Sequence, residues 1–531
     1  MRTKRILASF RPISLGCKNA LKLKLAVLSS SFLLILSSCT VGPDFTRPDS
    51  PKADNLTNAQ QTKQIAADSA SAKGQALLIN QDIPGQWWQL FQSPSLNELV
   101  IQAYKRNVSL QSALAALTAA REDRLAKAGE LFPKLDASFA TTQQKVSGAQ
   151  FGNPNFGGSV FTLYNASVKV SYTLDVFGGI QRQIEGLEAQ AEYERFQLEG
   201  AVLTLTANIV TTAIQEASLR KQIAATEVII QAYSDQLNII KQQFDIGSLS
   251  KIEVLSQQTL LEQTRSTLPP LQKQLAQLRH QLSVLVGDVP EGTALLAKFS
   301  LDDLHLPEQL PLSLPAKLVQ QRPDIRAQEA QLHAASAKIG VITASAFPDF
   351  TISANISSIA TLAGNLFAPG TGVWSVGGTL LQPLFRGGQL THQKRAAVAL
   401  YEQAQAEYHN TVLNALQNVA DTLSALEFDN AELQAQDAAT QTALANLELV
   451  RNQLQIGAAS HLELLNAERA YQQSRISQVK VEALRYADTA ALFQSLGGGW
   501  WNRDDASKAI SNLQNINKKP VSLFEMPRLR K

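Results

Sequence analysis

Cysteine and methionine are almost missing from this chain. Cys17 and Cys39 are its two cysteines, and Met1 and Met526 its two methionines. Two cysteines, both near the start, leave no disulfide framework, and two methionines at the ends offer no soft-sulfur relay for copper or silver. The six histidines, His280, His305, His333, His392, His409 and His461, are scattered and form no zinc-site spacing. No H-E-x-x-H, phosphate-binding P-loop or G-x-S-x-G motif occurs. Asp302 and Asp303 near His305 imitate a metal site, but they lie in a proline-flanked segment that reads as a surface loop. Gly178 with Gly179, and Gly387 with Gly388, sit between a strand and a helix where a phosphate loop could lie; their symmetry reads as a hinge. The expectation is a protein without catalytic centre, metal or cofactor. Proline is also missing, from Gln181 to Ile246, which permits one unbroken helix of about 100 Å at ~1.5 Å per residue.

What is present begins with a leader. Arg2, Lys4, Arg5, Arg11, Lys18, Lys22 and Lys24 precede the apolar run Leu25 to Leu36, which is too short to cross a bilayer and suits a secretory signal. Leu36, Ser37, Ser38 and Cys39 resemble a lipobox, making residues 1–38 a signal peptide and Cys39 the acylated first residue; an ordinary signal with an incidental cysteine is the alternative. Removing the seven leader charges takes the formal balance from +3 to −4, so nothing suggests nucleic acid as a partner.

The chain then says the same thing twice. The stretch from Gln243 through Gly247, Ser250 and Glu253 to Leu255 returns about 210 residues later from Gln453 through Gly457, Ser460 and Glu463 to Leu465. Asn107 to Leu110, running on to Phe132 and Pro133, returns as Arg322 to Ile325 running on to Phe347 and Pro348. A period that long means two copies of a large supersecondary unit.

Four short segments alternate with period two. Tyr164, Ala166, Val168, Val170, Tyr172 and Leu174 interleave with polar residues, as do Phe350, Ile352, Ala354 and Ile356, with weaker partners at Leu135 to Thr141 and Trp374 to Leu380. Each repeat thus holds one hairpin, closed by Ser147–Ser159 or Ser358–Gly372. A soluble sheet resting on helices is one reading. Membrane strands are the other, and four cannot close a barrel without further copies. Elsewhere Val202, Leu205, Ile209, Leu219, Ile223, Ile230, Tyr233, Leu237, Ile240 and Phe244 keep a three-four spacing, interrupted by Thr212, Glu216 and Thr226. Gly247 stops this helix, and a second returns from Ile252 to Val286, where Pro269 and Pro270 should break or kink it. Leading helices are expected over Leu96–Leu131 and Ala316–Ala346.

These residues resemble the TolC-like outer-membrane efflux proteins, specifically the NodT-type lipoprotein branch serving resistance-nodulation-division pumps. The resemblance rests on Cys39 to Pro48, on Trp87, Trp88, Phe91, Leu96 and Leu99, on both Ile-Gly turns, on Leu464 to Arg469, and on Leu496 to Trp500. It implies a mainly α chain with a pair of membrane β-hairpins. Three such chains would form a homotrimer with a 12-stranded β-barrel continuous with a long periplasmic α-helical barrel. The implied organisation is residues 39–95 as a lipid-anchored extended segment, 96–287 as the first efflux repeat, 288–315 as an equatorial connector, 316–497 as the second repeat and 498–531 as a tail. Thr46–Asp82 would run along the outer wall, with disorder as the alternative. The implied partners are outer-membrane lipid, a periplasmic adaptor (membrane fusion) protein and an inner-membrane pump. The implied function is passive export of small molecules across the cell outer membrane; a protein-secretion duct or a structural envelope lipoprotein are alternatives. The adaptor would dock at Gly247, Ser248, Gly457 and Ala458. A periplasmic gate would involve Glu253, Glu463 and Asn466, with Arg469 as its lock.

Overall fold

A computed structural model describes residues 40–49, 64–66, 74–79, 81–147, 158–290, 296–312 and 315–503. The expected signal peptide, Cys39 and the C-terminal tail beyond residue 503 lie outside them. The chain divides into two compact units: residues 1–46, 120–190 and 332–403 in one, residues 47–119, 191–331 and 404–531 in the other.

The first unit holds the alternating strands. β3 (Lys134–Val146), β4 (Ser159–Leu174), β6 (Asp349–Ala360) and β7 (Gly372–Leu381) make one sheet in that order, antiparallel throughout. The two hairpins meet along β4 and β6, so β3 and β7 are its edges. Register explains the faces. Ala137 lies opposite Val168, Val168 opposite Ile356, and Ile356 opposite Trp374. Directly opposed residues share a face, so these four make one apolar row, and Leu135, Val170, Ala354 and Val376 make the next. On the other face Ser138 and Ser167 share a hydrogen bond of 2.8 Å, and Thr173 and Thr351 one of 3.2 Å.

The second unit holds the main core. Its small sheet joins β1 (Gln64–Ala66) antiparallel to β2 (Gln75–Ile79), and β2 parallel to β5 (Gln309–Leu312). β1 and β2 fall inside the segment expected to be extended or disordered, so part of it is sheet. Polar composition hid this, because the ordering comes from distant residues: the buried Gln75 amide donates to the Pro307 carbonyl at 3.0 Å, and the Arg485 Nε donates to Gln75 at 3.1 Å. The tryptophan motif is core: Trp87 is 1% exposed and stacks on Phe493, with ring centroids 5.4 Å apart. The glycine run Gly497 to Gly499 turns beside it. Gly497, Gly498 and Gly499 all have positive φ, and a Cβ on Gly499 would lie 2.6 Å from the Ile83 and Pro84 carbonyl oxygens.

The leading helices are each broken, contrary to expectation. The first is α1 (Pro94–Arg106) followed by α2 (Val108–Ala128), and the second is α5 (Pro315–Gln321) followed by α6 (Pro323–Ala344). The breaks fall at the repeat-related Asn107 and Arg322. Asn107 is extended and its side-chain oxygen accepts from the Ser109 and Leu110 N–H groups, at 2.9 and 3.1 Å, capping α2. At the second break Pro323 has no N–H to continue a helix and fits the first turn of the next. The buried Arg322 guanidinium instead donates to the Ala415 and Ser495 carbonyls.

Two helices of 67 residues, α3 (Gly179–Asp245) and α7 (Gln389–Gln455), lead to the tight turns, and α4 (Lys251–Val286) and α8 (His461–Ser495) return. α4 runs through Pro269 and Pro270 without a break, correcting the expectation that they interrupt it. Both prolines are exposed, so water can serve the carbonyls they leave without donors. The polar interruptions of the α3 seam each find a partner there. Thr212 and Thr226 donate to carbonyls one turn back, and the fully buried Glu216 carboxylate receives Arg220 at 2.6 Å and Arg279 at 2.7 Å.

Asp488 on α8 stands beside Asp429 on α7. Burial and the hydrogen bond with the Asp429 carboxyl push the Asp488 carboxyl up to about 7. A carboxyl raised this way costs stability as pH climbs from the ordinary carboxylate range through that value. Thermal unfolding is therefore expected at a higher temperature at pH 6 than at pH 8, with Asp429→Asn shrinking the difference. Asn107→Ala should lower stability by about 1–2 kcal/mol in denaturant titration, since it uncaps α2.

Candidate functional site

Two surfaces stand out, one in each unit. The first is the apolar sheet face. Leu135, Phe139, Val168, Ile352, Ile356, Trp374, Val376 and Leu380 are all exposed. Trp374 is 75% exposed, and no helix covers it among the described residues. The reading of a sheet resting on helices predicted the reverse. A face of this kind, bounded by two open edges, is stable only against an apolar medium and with its edges paired.

The second surface is the pair of helix turns. α3 ends with Gly247 at φ 81° and α7 with Gly457 at φ 73°. Both close in the same way: the Ser248 N–H donates to the Gln243 carbonyl at 2.9 Å, and the Ala458 N–H to the Gln453 carbonyl at 2.8 Å. Nothing lies within 4 Å of a Cβ built on either glycine, so backbone conformation and not crowding demands them. Beside them Ile246 and Ile456 are 80% and 79% exposed, and Ile252 and Leu462 are also exposed. Attention to the glycines alone missed these apolar pairs, although they recur at the same positions of both repeats.

The residues expected at a gate divide into two environments. Glu463 accepts from the Ser460 N–H at 2.6 Å while its own N–H donates to the Ser460 hydroxyl at 3.2 Å, a capping box at the start of α8. Glu253 accepts from the Ser250 N–H at 2.5 Å in the same manner on α4. These bonds hold both carboxyls below the usual carboxylate range, the Ser250 side-chain bond being the largest cause for Glu253 and the Ser460 backbone bond for Glu463. Asn466 and Arg469 are exposed on α8. Between them Glu468, 5% exposed, takes the Arg451 guanidinium at 3.3 Å, and burial pushes its carboxyl upward. Sequence reading passed over Glu468, since its spacing alone does not separate a buried acid from its exposed neighbours.

No helix among the described residues is long and apolar enough to cross a membrane. No group of three or more potential metal-ligating side chains occurs among them.

A chain with an exposed apolar hairpin sheet and two long helical hairpins matches the profile described as "Outer membrane efflux protein" over residues 99–288 and 314–498. The chain belongs to this family, whose members are outer-membrane channels and not enzymes. Among its relatives, the pyoverdine export outer membrane protein OpmQ of Pseudomonas aeruginosa is 27% identical over 480 residues, covering 89% of this chain and 98% of OpmQ. The toluene efflux pump outer membrane protein TtgC of Pseudomonas putida is 28% identical over 476 residues, covering 88% and 94%. The solved outer-membrane channel OprN superposes with a TM-score of 0.78 at 27% identity, covering 87% of this chain and all of that one.

The caps carry a pH dependence. A carboxyl held low in the folded state contributes stability above its unfolded pKa and loses it as pH falls through the folded value. Hydrogen exchange at the Ser250 and Ser460 amides, corrected for intrinsic rate, should therefore accelerate in acid below about pH 4. Glu253→Gln and Glu463→Gln should suppress that dependence, because an amide still accepts the bond without titrating.

Proposed function

We propose that three copies of this chain form an outer-membrane duct through which small molecules, delivered by an inner-membrane pump through a periplasmic adaptor, leave the cell. The observation that carries this reading is the four-stranded sheet with an exposed apolar face and unpaired edges at β3 and β7. Three sheets joined edge to edge give twelve strands, no free edge and an apolar outer wall. The proposed trimer also accounts for the duplication, since two repeats in three chains place six similar units around one axis. The chain supplies no energy, and the partner pump drives transport. Cys39 is the proposed acylation site, and an acyl chain there would add a small apolar anchor beside a much larger barrel wall.

The turns at Gly247 and Gly457 are the proposed adaptor contacts. Ser248 and Ala458 flank the exposed pairs Ile246 with Ile252 and Ile456 with Leu462, which suit an apolar helical partner. Glu463, Asn466 and Arg469, with Glu253 in the first repeat, are the proposed gate residues. Three copies of each would approach the axis, and Asn466 makes the ring less acidic than an all-carboxylate one. Arg469 would bridge protomers as a lock.

The sheet supplies the test. Val168→Lys places a charge on the apolar face, where it costs about 2–4 kcal/mol at the bilayer midplane, whereas Ser167→Lys lies on the opposite face. The first variant is expected to lose heat-resistant trimers and ion conductance in planar bilayers, and the second to keep both. Equal behaviour of the two would overturn the membrane assignment. Bulky residues at Ser248 and Ala458 should reduce adaptor cross-linking without lowering trimer yield. Arg469→Ala should raise the resting conductance.

A further inference from the structure

The residues that follow Cys39 are held in the first unit by more contacts than a linker needs. The Val41 N–H donates to the Phe177 carbonyl at 3.2 Å, three residues beyond the end of β4. Phe177 in turn stacks on Phe347, two residues before β6, with centroids 4.7 Å apart. Arg182 on α3, 4% exposed, gathers the segment: its guanidinium donates to the Val41 carbonyl at 3.2 Å, to the Asp44 carboxylate at 2.7 Å and to Glu185 at 2.7 Å. Glu185 also bonds His333 of α6 at 3.0 Å, and the Phe45 ring stacks on the His333 imidazole at 4.4 Å.

Backbone fit accompanies the charges. Gly42, at φ 104°, passes so close to α6 that a Cβ there would lie 2.4 Å from the Gly340 Cα. A Cβ on Gly178 would likewise lie 2.6 Å from the Thr40 side chain. Two glycines facing each other and a buried arginine reading a carbonyl and a carboxylate make a seat for one particular peptide, Thr40 to Phe45.

We propose that this segment is an intramolecular latch, with Arg182 as its positioning residue, that fastens the N-terminal end of the mature chain to the foot of the membrane sheet independently of acylation. The next residue back, Cys39, is one peptide unit from Thr40, about 3.8 Å between Cα atoms. An acyl group there would be tethered beside the sheet and enter the same membrane surface. This consequence for the lipid rests on the proposed acylation; the latch itself does not.

The test uses the full-length protein in outer-membrane vesicles, with hydrogen exchange at the Val41 amide and protease cleavage within residues 40–49 as readouts. Arg182→Ala and Gly42→Ala are each expected to raise both rates by about tenfold or more, since each removes contacts that hold the segment closed. Arg182→Lys should restore part of the protection by keeping one cation near Asp44. Cys39→Ser should leave protection intact. Palmitate incorporation at Cys39 is followed in parallel, so that a failure of the acylation reading is seen separately. Gly42→Ala tests the latch from the peptide side if Arg182→Ala does not assemble. An unprotected Val41 amide in the parent would overturn the latch, as would protection that survives both Arg182→Ala and Gly42→Ala or disappears in Cys39→Ser alone.

Discussion

Backbone hydrogen bonding at the edges of one four-stranded sheet constrains everything else in this protein. β3 and β7 each offer a row of N–H and C=O groups with no strand partner among the described residues, beside a face of exposed aliphatic and aromatic side chains. In water such a sheet invites aggregation, and in lipid its open edges are costlier still. Pairing the edges with further copies removes both problems. The polar row on the opposite face carries serine and threonine bonds and, in the proposed trimer, would face an interior that water can fill.

The helices answer a different demand. A helix of 67 residues has too much surface for one globular core, so its apolar positions form a seam with α4 and α8. Polar residues in that seam are affordable only when each finds a partner, as Thr212, Thr226 and Glu216 do. Each turn is built from the same parts: a glycine in the left-handed region, a serine cap and a glutamate three residues on. The two carboxylates proposed for a gate thus already have a local task, and any gating role must coexist with capping.

Much of the architecture was legible because it is periodic or duplicated. Alternation marked Tyr164 to Leu174 and Phe350 to Ile356 as strands, and three-four spacing with absent proline marked α3. The misreadings share one cause, which is that distant partners overrode local signals. Asn107 breaks the first leading helix by capping the next one, and the second break pairs Pro323 with an arginine bonded to carbonyls 93 and 173 residues away. β2 is ordered by Pro307 and Arg485 despite its polar surroundings.

The sequence by itself determined the long helices and the hairpin strands, their twofold repetition and the two-faced character of the strands, because these follow from the spacing of apolar side chains and from where glycine and proline permit a turn. Only the tertiary structure decided that β4 joins β6, leaving β3 and β7 as edges, and that Arg182 seats Val41 and Asp44. Those outcomes depend on which groups meet across more than a hundred residues of chain, and local periodicity carries no record of such meetings.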